Sequence, residues 1–206
     1  MEAGVYNFRI IGTLTTGETA FADMTITLVT LLPVAQDEMV YFVGDTSATT
    51  SAIEPFTIGP SSIAGSYTVT YSTVLSSTSI AKSFVAVTGG NTISVLTSAT
   101  EADAGTYVMK LVGELKNSDG TSTGVTVSSD YTVHVVKILG SKTDEIYRMD
   151  SGPKLYPITP FTQSPTTASD PQIPTLTYTY TVTMSDGSPA PAWITVVTNA
   201  DGSKSI

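Results

Sequence analysis

The chain of 206 residues holds one histidine, His134, and no cysteine. A lone imidazole with no thiolate and no acidic cluster beside it in sequence lacks the makings of a zinc site or a nucleophile triad. His134 falls on a strand-like stretch beside Thr132 and Val136, and the two-residue alternation there predicts that it faces solvent. The carboxylates Asp37/Glu38, Asp119, Asp144/Glu145 and Asp186 are singles or pairs at turns and strand ends. Calcium takes six to eight oxygens, and a glycosidase pair needs a cleft. These acids are therefore expected to be solvated turn residues. No strand runs through a Gly-rich loop into a helix, so a phosphate cradle is not expected either. The residues point to no enzyme, no metal and no cofactor.

The aromatic and hydroxyl residues carry a different chemistry. Trp193, the single Trp, aligns with Phe84 of a preceding segment and is expected to be a core anchor rather than a sugar platform. Tyr67 and Tyr71 fall four apart and Tyr178 and Tyr180 two apart, which places each pair on one sheet face for cross-strand packing. Ser and Thr together supply about 60 residues. No Asn-x-Ser/Thr sequon exists, so N-glycosylation is excluded on this stretch. Ser164-Pro165-Thr166-Thr167, Thr159-Pro160 and the Ser47–Ser51 run resemble the Ser/Thr/Pro composition of O-glycosylated stalks. Ser164, Thr166 and Thr167 are the candidate O-glycosylation positions, and O-linked glycans are a possible partner.

The elements that must position these groups are strands. Hydrophobic residues make up 41 % of the chain and charged ones 13 %. Thr, Val, Tyr and Ile dominate segments that alternate with period two, and no window shows a helical apolar stripe. The fold class is all-β. A net charge of −9 argues against nucleic acid and anionic membrane as partners. There is no apolar run long enough for a membrane span, and Met1–Gly4 does not begin a signal peptide.

Glu2–Leu14 reads EAGVYNFRIIGTL and Glu101–Leu115 reads EADAGTYVMKLVGEL. Acid, Gly, Tyr, an apolar alternation and Gly-x-Leu recur at an offset of about 101 residues, the length of a small domain. Asp37-Glu38-Met39 is answered by Asp144-Glu145-Ile146, Pro55-Phe56-Thr57 by Pro160-Phe161-Thr162, and Tyr71-Ser72-Thr73 by Tyr180-Thr181-Val182. The repeat divides the chain into the last two strands of one domain (1–31), a complete domain (32–137) and about five opening strands of a third (138–206). Strands are expected at 35–43, 53–58, 67–75, 83–88, 92–97, 105–115 and 125–136. Leu31–Val34 is expected to be a short linker, and Thr15–Glu18 and Asn117–Gly120 are hairpin turns. A lone hairpin and an unfinished sandwich expose apolar faces and sheet edges. Both ends are thus expected to be completed by neighbouring chain: a continuation, which the phase favours, or an adjacent copy.

Asp103-Ala104-Gly105-Thr106-Tyr107 resembles the Asp-x-Gly-x-Tyr signature on the sixth strand of immunoglobulin-type sandwiches. There the Tyr hydroxyl turns back to upstream backbone and pins a corner, and Gly permits a tight approach. Gly4 and Tyr6 hold the same places in the first copy. Met109 and Phe8 stand where antibody domains carry Cys, which separates the chain from those. With Pro191-Ala192-Trp193-Ile194-Thr195 and the Thr-rich Tyr178–Thr183, the pattern is similar to cadherin-like (dystroglycan-type) or immunoglobulin-like tandem repeats of large surface proteins, including ciliate and bacterial arrays. It lacks the calcium-binding acid clusters of true cadherins. The resemblance implies tandem immunoglobulin-like β-sandwiches on the cell surface or outside it. They would serve as a structural module of a fibre, filament or stalk, with neighbouring repeats or copies as partners. The alternative is an adhesin-type module that recognises carbohydrate or protein through its loops.

Overall fold

A computed structural model of the chain describes residues 2–140, 145, 146, 148 and 152–206. Every regular element in it is a strand apart from two short 3-10 turns, Ser61–Ser66 and Glu101–Asp103. The chain opens with an antiparallel hairpin, β1 (Gly4–Thr13) and β2 (Thr19–Leu28), paired from Gly4 opposite Leu28 to Thr13 opposite Thr19. A middle unit follows: β3 (Thr30–Leu32), β4 (Met39–Phe42), β5 (Thr49–Ala52), β6 (Thr57–Gly59), β7 (Tyr67–Leu75), β8 (Val85–Thr88), β9 (Thr92–Val95), β10 (Gly105–Asn117) and β11 (Ser122–Leu139). The last stretch carries only short strands, β12 (Thr162–Ser164), β13 (Val197–Thr198) and β14 (Lys204–Ser205).

In the middle unit β7, β10 and β11 form one antiparallel sheet, and β4 adds in parallel to β11. A second antiparallel sheet has the order β5-β9-β8. One buried cluster draws on both: Met109, Leu111 and Leu115 of β10, Tyr131, Val133 and Val135 of β11, Met39 and Tyr41 of β4, and Val85, Ile93 and Val95 of β8 and β9. On β10 the odd-numbered residues from Met109 to Leu115 point in and the even ones out, which is the period-two pattern of a half-covered sheet. Gly113 belongs to the inward row because the Phe56 ring lies there. A Cβ at this position would come within 2.6 Å of that ring.

Three strand expectations need correction. Residues 53–58 are not one strand: Ile53, Glu54, Pro55 and Phe56 separate β5 from β6. β5 falls on the Ser47–Ser51 run whose composition resembles a stalk, yet it pairs with β9, Thr49 opposite Val95. A short Thr/Ser strand at a sheet edge needs few apolar residues, because its ladder bonds and one half-buried face hold it. Nor is Leu31–Val34 a free linker. Thr30–Leu32 is β3, hydrogen-bonded to β6, and Leu31 is buried in the middle unit's core.

The internal repeat extends to the backbone. Gly4 pairs with Leu28 as Gly105 pairs with Val135, and Phe8 with Met24 as Met109 with Tyr131. The turns match as well. Leu14 N–H donates to Glu18 C=O at 2.8 Å, as Asn117 N–H does to Thr121 C=O at 2.9 Å. Each turn carries Gly in the left-handed region, Gly17 at φ 95° and Gly120 at φ 83°. Two more turns of this kind span Met184–Ser188 and Asn199–Ser203. In three of the four an Asp carboxylate before the Gly (Asp119, Asp186, Asp201) accepts the N–H and hydroxyl of the residue after it. Those bonds, to the side chains of Thr121, Ser188 and Ser203 first, hold the three carboxyls below the usual range.

In the last stretch Phe161 N–H donates to the Tyr180 hydroxyl at 3.1 Å, and Phe56 N–H donates to that of Tyr71 at 2.8 Å. The ring pairs also agree, both T-shaped with centroids 5.3 Å apart. Trp193 departs from its expected role. It is 71 % exposed, whereas its counterpart Phe84 is 1 % exposed. Phe84 packs under β10, edge-on to Tyr107, and no such hairpin covers Trp193 among the described residues. Asp144, the start of the second Asp-Glu pair, lies outside the described residues.

Candidate functional site

The groups with the richest chemistry meet where the middle unit passes into the last stretch. β11 is long enough to serve both: Val133–Val136 pair with β4, and Lys137–Leu139 pair with β12. The parallel pairing sets His134 opposite Val40 and so brings Glu38, two residues before it, to the ring. The antiparallel pairing with β12 anchors the turn that follows it, which delivers Asp170.

His134 is fully buried rather than solvent-facing, contrary to the alternation-based expectation. The outward face of β11 is covered here: Val136 is buried too, and both ring nitrogens of His134 are engaged. Nε2 lies 2.5 Å from Glu38 Oε1, and Nδ1 lies 3.1 Å from Asp170 Oδ2 and 3.0 Å from the Thr106 hydroxyl. The carboxylates themselves remain partly in water, with side chains 32 % and 21 % exposed for Glu38 and Asp170. A buried imidazole must satisfy both nitrogens. A doubly protonated ring donates to both carboxylates. A neutral ring donates from Nε2 to Glu38 and accepts at Nδ1 from the Thr106 hydroxyl.

Histidine with two carboxylates is a metal-ligating donor set, and all three ligand atoms lie within 4.8 Å of one another. The arrangement does not fit an ion. An imidazole ligates through one nitrogen, and both carboxylates would have to converge on that nitrogen's side at about 2.0–2.2 Å from the metal. Here Glu38 and Asp170 sit at opposite nitrogens, so the ring is a bridge. It ties β4, β10 and β11 of the middle unit to the turn after β12.

The same β-ladder occurs at the entry to the middle unit. Thr30, Leu31 and Leu32 pair with Gly59, Ile58 and Thr57; Lys137, Ile138 and Leu139 pair with Ser164, Gln163 and Thr162. The entry lacks the bridge, since β2 carries Thr27 where β11 carries His134 and Gly65 stands where the exit has Asp170. The tyrosine motif sits beside each ladder. Tyr107 donates its hydroxyl to Asp103 C=O at 2.7 Å, and Tyr6 to Glu2 C=O at 2.9 Å. A Cβ at Gly4 would come 3.3 Å from the Tyr6 ring, a tight contact, whereas at Gly105 the distance is an ordinary 3.8 Å. Burial pushes the Tyr107 hydroxyl up, with the Asp103 carboxylate adding to it. Asp103 is itself held low by the Thr100 hydroxyl in a capping box.

Of the candidate glycosylation positions, Ser164 is a half-buried β12 residue, and Thr166 and Thr167 lie on the turn after it. Thr166 exchanges hydrogen bonds with Ser169, and the Thr167 hydroxyl accepts from Gln163 at 3.5 Å. This is the turn that carries Asp170. Sequence reasoning missed both the His134 bridge and the ladders. Thr106, His134 and Asp170 lie on separate elements, and only the recurrence of Pro-Phe-Thr, read together with the residues before it, hinted at a shared junction.

Among the described residues no helix is long and apolar enough to cross a membrane. No family model matches the chain, and no curated protein matches it in sequence.

Proposed function

We propose that this chain is a structural repeat module: tandem immunoglobulin-like β-sandwiches that build a fibre, filament or stalk at the cell surface or outside the cell. The observation that carries the reading is the pair of ladders, β3 with β6 and β11 with β12, formed in the same register about one repeat apart. The closing strand of one unit runs straight into pairing with the next. Consecutive units would then be joined by backbone hydrogen bonds rather than by a flexible tether, which limits bending and turns stacking into length.

The middle unit supports the immunoglobulin-like part. Its strands in the order β7-β10-β11-β4 face a β5-β9-β8 sheet across one core, and its tyrosine hydroxyl returns to the backbone four residues upstream. The Phe–Tyr ring pairs recur in both units in the same geometry, which favours packing over a ligand platform in one loop set. The acidic, hydroxyl-rich surface would keep such an array hydrated and discourage lateral sticking, with glycans on Thr166 and Thr167 adding to that.

Electron microscopy of native material tests the proposal. Strands of about ten residues at ~3.4 Å each give a unit roughly 35–40 Å long. An axial period of that length or a small multiple is the expected result. Discrete particles without axial repetition would refute it.

A further inference from the structure

We infer that His134 is a proton-dependent clasp: its doubly protonated ring fastens the turn after β12 to the middle unit, and its neutral ring releases that turn. This adds regulation to one joint of the repeat reading above, and rests on that reading only in taking β12 as the start of the next unit.

A count of donors and acceptors around the fully buried ring separates its two charge states. Three oxygens face it: Glu38 Oε1 at Nε2, and Asp170 Oδ2 and the Thr106 hydroxyl at Nδ1. The two carboxylates can only accept. The charged ring brings two N–H groups, one for each carboxylate, and leaves the Thr106 hydroxyl free to donate to Asp170 Oδ2 at 3.4 Å. Every polar atom is then paired. The neutral ring brings one N–H. With that proton on Nε2, Glu38 is served and the Thr106 hydroxyl turns to Nδ1. The Nδ1 lone pair then faces Asp170 Oδ2 at 3.1 Å with no proton between them. With the proton on Nδ1, the same conflict moves to Glu38 at 2.5 Å. Two acceptors in contact are costly where water is excluded. Asp170 is the one to leave, because it depends on a three-residue ladder, whereas Glu38 is followed directly by the buried Met39 and Tyr41 of β4.

Among the described residues, the titratable groups that face the ring are Glu38 and Asp170. From β4, Val40 lies opposite His134. From β10, Tyr107 spends its hydroxyl on Asp103 C=O, and in the 3-10 turn beside β11 the Asp103 carboxylate is turned to Thr100 while Glu101 is exposed. On β11 itself Asp130 is bonded to Ser76, and Lys137 falls in the alternate row. The entry ladder carries Thr27 and Gly65 at the matching positions, neither of which changes charge. One chain thus holds a joint with the clasp and a joint without it.

Amide exchange of the 206-residue chain from about pH 5 to 9 tests the inference, with β6 as the reference for β12 in the same sample. Their ratio cancels the general effect of pH on exchange. An imidazole changes charge in this span and ordinary carboxylates do not. His134 is the only histidine, so its ring nitrogens can be followed in parallel by nitrogen NMR. As the ring loses its second proton, exchange in β12 is expected to rise about tenfold or more relative to β6. His134→Gln is expected to hold β12 at the fast level at every pH. If that variant misfolds, Asp170→Asn, at a partly exposed side chain, is expected to make β12 insensitive to pH. A ring that titrates without a change in β12, a ring that keeps one charge state across the span, or a pH response that survives these substitutions would overturn the inference. The repeat reading is judged separately. If β12 responds to pH while native material shows no axial period, the clasp stands and the repeat reading falls; a period without a response in β12 means the reverse.

Discussion

The β1–β2 and β10–β11 hairpins are nearly the same object in different surroundings. They share a register as far as the shift in β10–β11 after Glu114, a Gly-containing turn and a tyrosine bonded four residues back. One lies over β8, β9 and Phe84 and buries Met109, Leu111, Leu115, Tyr131, Val133 and Val135; the other has no second layer among the described residues and keeps the matching row exposed. A hairpin's own sequence therefore fixes its shape and marks which face is apolar, while burial is conferred by residues far away in the chain. The ladders repeat the lesson. They share a backbone register, and only the exit carries a buried histidine.

Four pairs of substitutions sharpen this contrast. Leu111→Ala is expected to cost about 2–5 kcal/mol, because it opens a cavity in a packed core. Ile10→Ala in the 206-residue chain at low concentration should stay within about 0.5 kcal/mol, the range of surface substitutions. Urea denaturation of the two variants compares them, and equal costs would erase the distinction. Gly113→Ala drives a methyl into the Phe56 ring and is expected to cost about 1–3 kcal/mol; Gly12→Ala, with open space around it, should leave the midpoint unchanged.

His134→Ala leaves Asp170 and Glu38 without the ring between them, and a loss of about 1–3 kcal/mol is expected. Its signature is faster amide exchange in β12 and the turn to Asp170, with the β8 and β9 amides unaffected. Thr27→Ala, the matching change at the entry, should alter neither. Uniform exchange across both ladders in His134→Ala would show that the bridge does not hold the exit.

The smallest effect concerns the turns. Asp119 has a folded-state pKa below its unfolded value, through the Thr121 hydroxyl and N–H. Its contribution is therefore present above the ordinary carboxylate range and lost as pH falls through the lowered folded value. Asp119→Asn should lower Tm slightly at neutral pH and make that difference vanish in acid. The β1–β2 turn has Thr16 in place of Asp119, and Thr16→Asn should show no such pH dependence. The group is exposed, so the effect is a shallow slope rather than a transition.

Much of the fold was legible in advance. Alternation located β7, β10 and the inner row of β11 because a half-covered sheet writes period two into its sequence. The Gly-x-Tyr and Pro-Phe-Thr recurrences set the repeat. β5 was not legible, since Thr49–Ala52 has no apolar residue larger than Ala and its partner β9 lies some forty residues on. His134 was misread because alternation distinguishes two faces and cannot say that both are covered. Trp193 was misread for the opposite reason: an inward-type residue is buried only where a second layer reaches it.

The sequence by itself determined that this is an all-β chain, where its hairpins turn, and that its segments repeat. These follow from local terms: β-propensity, the two-residue pleat, and glycine at positive φ. The tertiary structure alone decided that β3 and the end of β11 reach into the following unit, that His134 bridges Glu38 and Asp170, and that one hairpin is core while its twin is surface. Those outcomes depend on contacts between residues tens of positions apart, and no local pattern encodes which distant surface arrives.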